Sequence, residues 1–174
     1  MLRRLVLAAL LTLSGGLLLA CGALGSTEAV TFNNKIVNAN KRLEQADKTF
    51  ADRLKVALDG NPVNVPPLKQ AHEDMKQTLA SVKAEVEGMK VPSKQSARDF
   101  HAAELRYLAS AERIVADYGE IVRILDDRTL NVFAKQTQVQ AIAARVTATA
   151  KSDTAGLENA QAAFAKDYNI RIIK

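Results

Sequence analysis

Apolar residues recur along this chain at alternating spacings of four and three, in four separate stretches. The first runs from about residue 29 to 59 through Phe32, Ile36, Ala39, Leu43, Ala46, Phe50 and Ala57, widened by Leu54 and Leu58. That spacing places the apolar side chains on one face of a helix. The second stretch, about 67–90, carries Leu68, His72, Met75, Leu79, Val82, Val86 and Met89. The third, about 94–127, carries Ala97, His101, Glu104, Leu108, Ala111, Val115, Tyr118, Val122 and Leu125, broadened by Phe100, Tyr107, Ile114 and Ile121. The fourth, about 131–168, carries Val139, Ala143, Val146, Ala150, Asp153, Leu157, Ala160, Phe164 and Tyr168.

Breakers separate the stretches. Asp59-Gly60-Asn61-Pro62 and Pro66-Pro67 lie between the first two, and Val91-Pro92-Ser93 between the next two, with Ser93 placed to cap the third helix. Asp126-Asp127-Arg128-Thr129 has turn chemistry without glycine or proline. Gly119 interrupts the third pattern at a cost of about 1 kcal/mol against alanine. Four helices with short connections predict an all-α, up-down-up-down four-helix bundle over residues 29–174. The tail Asn169–Lys174 is too short to be a domain.

Ahead of the bundle stand the parts of a secretory signal: Met1-Leu2-Arg3-Arg4, an apolar run from Leu5 to Leu13, then Ser14-Gly15-Gly16. The segment closes with Leu18-Leu19-Ala20-Cys21, which resembles the lipobox of bacterial lipoproteins. The resemblance implies cleavage after Ala20 and a diacylglycerol on the Cys21 sulfur. Residues 1–20 are then a signal peptide, and 21–28 the lipidated cysteine with a flexible tether. Cys21 is the only cysteine, so no intrachain disulfide can form. Lipidation consumes a thiol that would otherwise be free in an oxidising compartment. Each buried lipid methylene contributes roughly 0.8 kcal/mol, and two or more chains give stable anchoring. A transmembrane helix is the poorer reading, because the apolar stretch is short and lacks a basic stop-transfer.

By the same resemblance, Gly22 in place of aspartate after the cysteine favours the outer membrane over the inner one. Phe32-Asn33-Asn34-Lys35-Ile36-Val37, the segment Gln161–Ile170 and Val91-Pro92 are similar to a group of uncharacterised helical bacterial surface lipoproteins. No activity comes with that likeness. The implied location is a lipid anchor in the cell membrane or outer membrane, with the domain outside the cytoplasm.

Cleavage changes the charge. The 174-residue chain has 24 basic and 19 acidic side chains, a formal +5. Losing Arg3 and Arg4 lowers that to +3. With no dense basic run and 5% aromatic residues, nucleic acid is not an expected partner. The bundle topology gathers Lys35, Lys90, Lys94, Arg98, Arg171 and Lys174 at the lipid end. It leaves Asp59, Asp126 and Asp127 against Arg128 at the other. Basic residues near an anionic surface are worth about 1 kcal/mol each, so this end is expected to touch headgroups. The competing reading is that they complement helix C-termini.

Candidate chemistry is sparse. A turn centred near residue 92 sets His72 opposite residues near 112, and His101 opposite residues near 83. The mismatch of eleven residues, roughly 16 Å along a helix, forbids a shared metal. His101 and Glu104 form an i, i+3 pair which, with Tyr107, is a candidate interhelical pocket. A two-metal carboxylate bundle needs Glu-x-x-His on two helices, and the chain has none. The plainer expectation is an interhelical ion pair of Glu104 with Lys83 or its neighbours, close to the turn. Asn33, Asn40 and Asp47 recur every seven residues as a polar edge beside the first seam, either a groove or a register device. Asp153 reads as a half-buried acid near a lysine, or as part of a small polar cavity. No Gly-x-Ser-x-Gly elbow, phosphate loop or haem motif occurs.

The expectation is therefore a non-enzymatic, lipid-anchored envelope module that binds or interacts with an envelope protein, without cofactor or metal. The alternative is a small-ligand sensor or carrier around His101, Glu104 and Tyr107. A metal-dependent enzyme ranks third.

Overall fold

Each break in the apolar pattern ends one helix and starts another. The computed structural model describes residues 19–21, 26–59 and 64–173. Its helices are α1 (Thr27–Asp59), α2 (Pro66–Glu87), α3 (Gln95–Asp126) and α4 (Val132–Asp167). Pro66 and Pro67 open α2, at first-turn positions where no N–H has a partner to lose. Helix α2 stops at Glu87 rather than near residue 90. Gly88, a poor helix former ahead of Val91-Pro92, forms its cap.

Ser93 does not cap α3. Lys94 holds that position without a side-chain cap bond. The Ser93 carbonyl accepts from the Arg98 guanidinium instead. The breaker-free α3–α4 turn is made by Asp127, whose Oδ1 accepts from the Thr129 N–H at 2.8 Å and hydroxyl at 2.6 Å. Asn131 then caps α4 by accepting from the Ala134 N–H at 2.9 Å.

The four helices pack on one another around a single apolar interior. Between α2 and α3, Lys69 reaches Asp126 and Lys83 reaches Glu112, so partner numbers fall as residue numbers rise. The same holds for α1 with α2, through Glu28–Lys90 and Arg42–Glu85. It holds for α3 with α4, through Lys94–Asp167 and Asp117–Arg145. Helix α1 reaches α4 through Asn33–Gln161 and through the rings of Phe32 and Phe164, 5.7 Å apart.

One end of the molecule thus holds the start of α1, the α2–α3 turn and the end of α4. There Phe32, Phe100 and Phe164 form a mutual cluster with centroids 5.3–5.9 Å apart. Toward the other end, Phe50 stacks on Tyr118 at 4.3 Å. Beyond the helices, a three-rung antiparallel ladder joins β1 (Leu19–Cys21) to β2 (Arg171–Ile173), with Cys21 opposite Arg171. Among the described residues, no helix is long and apolar enough to cross a membrane.

Candidate functional site: a polar line through the core

The seven-residue stripe on α1 lies inside the bundle, deeper than an edge. Asn33, Asn40 and Asp47 are only 1%, 5% and 2% exposed. Each sits three residues before a core side chain (Ile36, Leu43, Phe50), which puts it on the same helix face. A buried polar group is costly unless it is hydrogen-bonded, and each of the three meets a polar group on another helix. Asn33 Oδ1 accepts from Gln161 Nε2 at 2.8 Å. Asn40 Nδ2 donates to Glu104 Oε2 at 3.0 Å. Asp47 Oδ1 accepts from the Tyr118 hydroxyl at 2.7 Å. The sequence pattern marks the α1 members but not Gln161, and it reads Tyr118 as plain core.

Glu104 does not pair with Lys83. It is fully buried and faces α1. Lys83 instead meets Glu112 at 2.6 Å on the exposed side of α2 and α3. Burial pushes the Glu104 carboxyl up to about 7, against which the Asn40 hydrogen bond works only partly. Three buried side-chain atoms have no hydrogen-bond partner among the described residues: Asn40 Oδ1, Glu104 Oε1 and Thr154 Oγ1. Tyr107 is buried beside this region. Its hydroxyl is driven up, first by burial and then by the charges of Glu104, Asp47 and Glu44. Burial and the neighbouring Asp47 do the same to Tyr118.

His101 points elsewhere. Its Nε2 lies 2.8 Å from the Val86 carbonyl of α2. His72 mirrors it, with Nε2 2.9 Å from the Val115 carbonyl of α3. A carbonyl only accepts, so each Nε2 carries its proton. Both pairs are centred between residues 93 and 94, slightly beyond the centre read from sequence, and this sets the α2–α3 register. Gly119 makes room for one of them: a Cβ there would sit 2.9 Å from His72 Cε1. Among the described residues, no group of three or more His, Cys, Asp or Glu could hold a metal. The Asp153 side chain lies outside the described residues.

Of the basic residues read from sequence, two meet acids at their end. Lys90 pairs with Glu28 at 3.0 Å. Lys94 pairs with Asp167 at 3.3 Å, and its ammonium lies 4.6 Å above the Tyr168 ring. Asp167 is held below the usual carboxylate range, chiefly by the Ser96 hydroxyl and then by Lys94. Lys35 borders a surface cavity of about 300 Å³ with Thr31, Phe32, Met89 and Lys90. Arg171 is exposed on β2, and Lys174 lies outside the described residues. At the opposite end Asp126 bonds Lys69 at 2.8 Å.

Two surface features were not legible in the pattern. A groove of about 640 Å³ runs between α1 and α2, lined by Arg42, Ala46, Thr49, Ala71, Thr78 and Ser81 among others. Val56, Val132 and Phe133 are 59%, 69% and 78% exposed. Val56 lies in the last turn of α1, and Val132 and Phe133 open α4. No family model, no curated protein and no solved structure matches this chain.

Proposed function

We propose that this protein is a lipid-anchored helical bundle of the bacterial cell envelope that serves as a binding or interaction module for an envelope protein. The anchor is supported by the signal-like segment ending in Leu18-Leu19-Ala20-Cys21, and the outer membrane by Gly22. The falling partner numbers between successive helices support up-down-up-down topology. In that topology the start of α1, beside Cys21, and the apolar tip of Val56, Val132 and Phe133 stand at opposite ends. Helix α1 alone has 33 residues, about 50 Å of rise.

The observation that carries the reading is the exposure of three large apolar side chains, Val56, Val132 and Phe133, which the proposed topology sets remote from the proposed anchor, where a second protein can reach them. The Glu28 and Asp167 ion pairs engage Lys90 and Lys94 at the basic end, which lowers but does not remove its attraction for headgroups.

Two measurements test the reading. Intact mass of the membrane-extracted protein should show a chain starting at Cys21 with acyl mass, absent in Cys21→Ala. A full-length unmodified chain sinks the anchor. A photo-crosslinking residue at 133 should capture an envelope protein in cells, and the same residue at exposed Lys35 should not. Equal capture at both positions, or none at 133, sinks the interaction surface.

A second reading, a small-ligand sensor or carrier at His101, Glu104 and Tyr107, draws support from the partnerless atoms of Asn40 and Glu104. Of those three residues, Glu104 and Tyr107 lie on the buried side, and His101 is engaged with α2. Small-ligand binding abolished by Glu104→Gln and unaffected by Phe133→Ser would move this reading to first place.

A further inference from the structure

The three partnerless buried atoms are not scattered. The Asn33–Gln161 hydrogen bond fixes how α1 and α4 run past each other. Seven residues further along α1 and seven back along α4, it sets Asn40 level with Thr154. The Lys94–Asp167 contact fixes α3 against α4 and sets Glu104 level with Leu157, one turn from Thr154. Asn40 and Glu104 are already joined. Asn40 Oδ1, Glu104 Oε1 and Thr154 Oγ1 therefore come from three different helices at one level of the core. They lie within about one helical turn, on the order of 5 Å, along the bundle axis.

Thr154 also differs from four other helical threonines. Thr49, Thr78, Thr137 and Thr147 each donate their hydroxyl to the carbonyl four residues earlier, at 2.8–3.0 Å. Thr154 makes no such bond, although its hydroxyl is buried.

We propose that this level of the core is a binding site for one internal water molecule, held by Asn40, Glu104 and Thr154. The donor and acceptor count fits. Two acceptor oxygens need two donated hydrogens, and a hydroxyl can donate in return. Water supplies two donors and an acceptor, and buried waters make about three such bonds to otherwise unsatisfied groups. Tyr107, Leu108 and Leu157 are all buried around this level. The water bridges α1, α3 and α4 and completes the polar line that begins at Asn33 and ends at Asp47. The site depends on neither the lipid anchor nor the apolar tip.

Water-selective NMR on the detergent-solubilised full-length chain tests it. A long-lived water cross-peak to the Asn40 side-chain amide is expected in the wild type, kept in Thr154→Ser and lost in the isosteric Thr154→Val. No such cross-peak in the wild type overturns the proposal; that result means Glu104 gives its own proton to Asn40 directly. Persistence in Thr154→Val also overturns it. Helical circular dichroism of both variants separates loss of the water from loss of the fold.

Discussion

Glu104 shows how much one side chain can govern. Its carboxyl is raised to about 7 in the folded chain, against about 4.3 when unfolded. The folded state therefore binds the proton more tightly. The associated stability is complete below about pH 4, and it is lost as pH rises through about 7. The loss is on the order of 4 kcal/mol at most. Urea denaturation from pH 4.5 to 8.5 should show that decline in the wild type and a flatter curve in Glu104→Gln. An equal slope in both would assign the decline to other groups.

Gly119 and His72 make a second residue-scale case. A methyl group at 119 meets a ring tethered to Val115, so Gly119→Ala should cost about 1–2 kcal/mol despite its better helix propensity. In a His72→Ala background the same change should become neutral or stabilising. Additive effects in that cycle would mean the two do not conflict. None of this was visible in sequence, because the position of Gly119 along α3 says nothing about what crosses it.

At the scale of elements, helix ends were legible to within a few residues, because prolines, glycines and aspartates act locally. Where a local signal had rivals, the outcome differed, as at Ser93. The end of α4 was not anticipated. Asn169 adopts a left-handed conformation (φ 52°). The Ile170 N–H reaches the Ala165 carbonyl at 2.8 Å and the Asn169 N–H reaches Lys166 at 3.2 Å, a Schellman cap with Ile170 and Ala165 both buried. Asn169→Gly should be neutral or stabilising, and Asn169→Val should lower stability by about 1–2 kcal/mol, read by thermal denaturation. Equal effects would mean the cap is not holding that geometry.

The α1 stripe gives another prediction between elements. Asn40→Leu alone leaves Glu104 buried without its donor and should cost about 2–4 kcal/mol. Asn40→Leu with Glu104→Leu should cost clearly less, because no unpaired polar group remains. A double variant as unstable as the sum of the singles would show that the two side chains are not energetically coupled.

For the whole molecule, Phe133 separates the proposed interaction surface from the folding core. Phe133→Ser removes no core contact, so its thermal midpoint should stay within about 2 °C of wild type while crosslinking at the tip falls. A large drop in midpoint would instead make Phe133 part of the folding unit.

The sequence by itself determined the four helices, their apolar faces and the signal-like start, since periodicity and breaker residues act over a few positions. It also marked Asn33, Asn40 and Asp47, His101, Glu104 and Tyr107 as the positions that depart from an apolar seam. Tertiary structure alone decided which neighbour each of these faces. A residue at the margin of a 3.6-residue face can turn to either of two adjacent helices, and that choice rests on register and on side-chain volumes contributed by distant parts of the chain. It sent Glu104 to Asn40 instead of Lys83, set Gly119 beneath His72, and brought Thr154 to the level of Asn40.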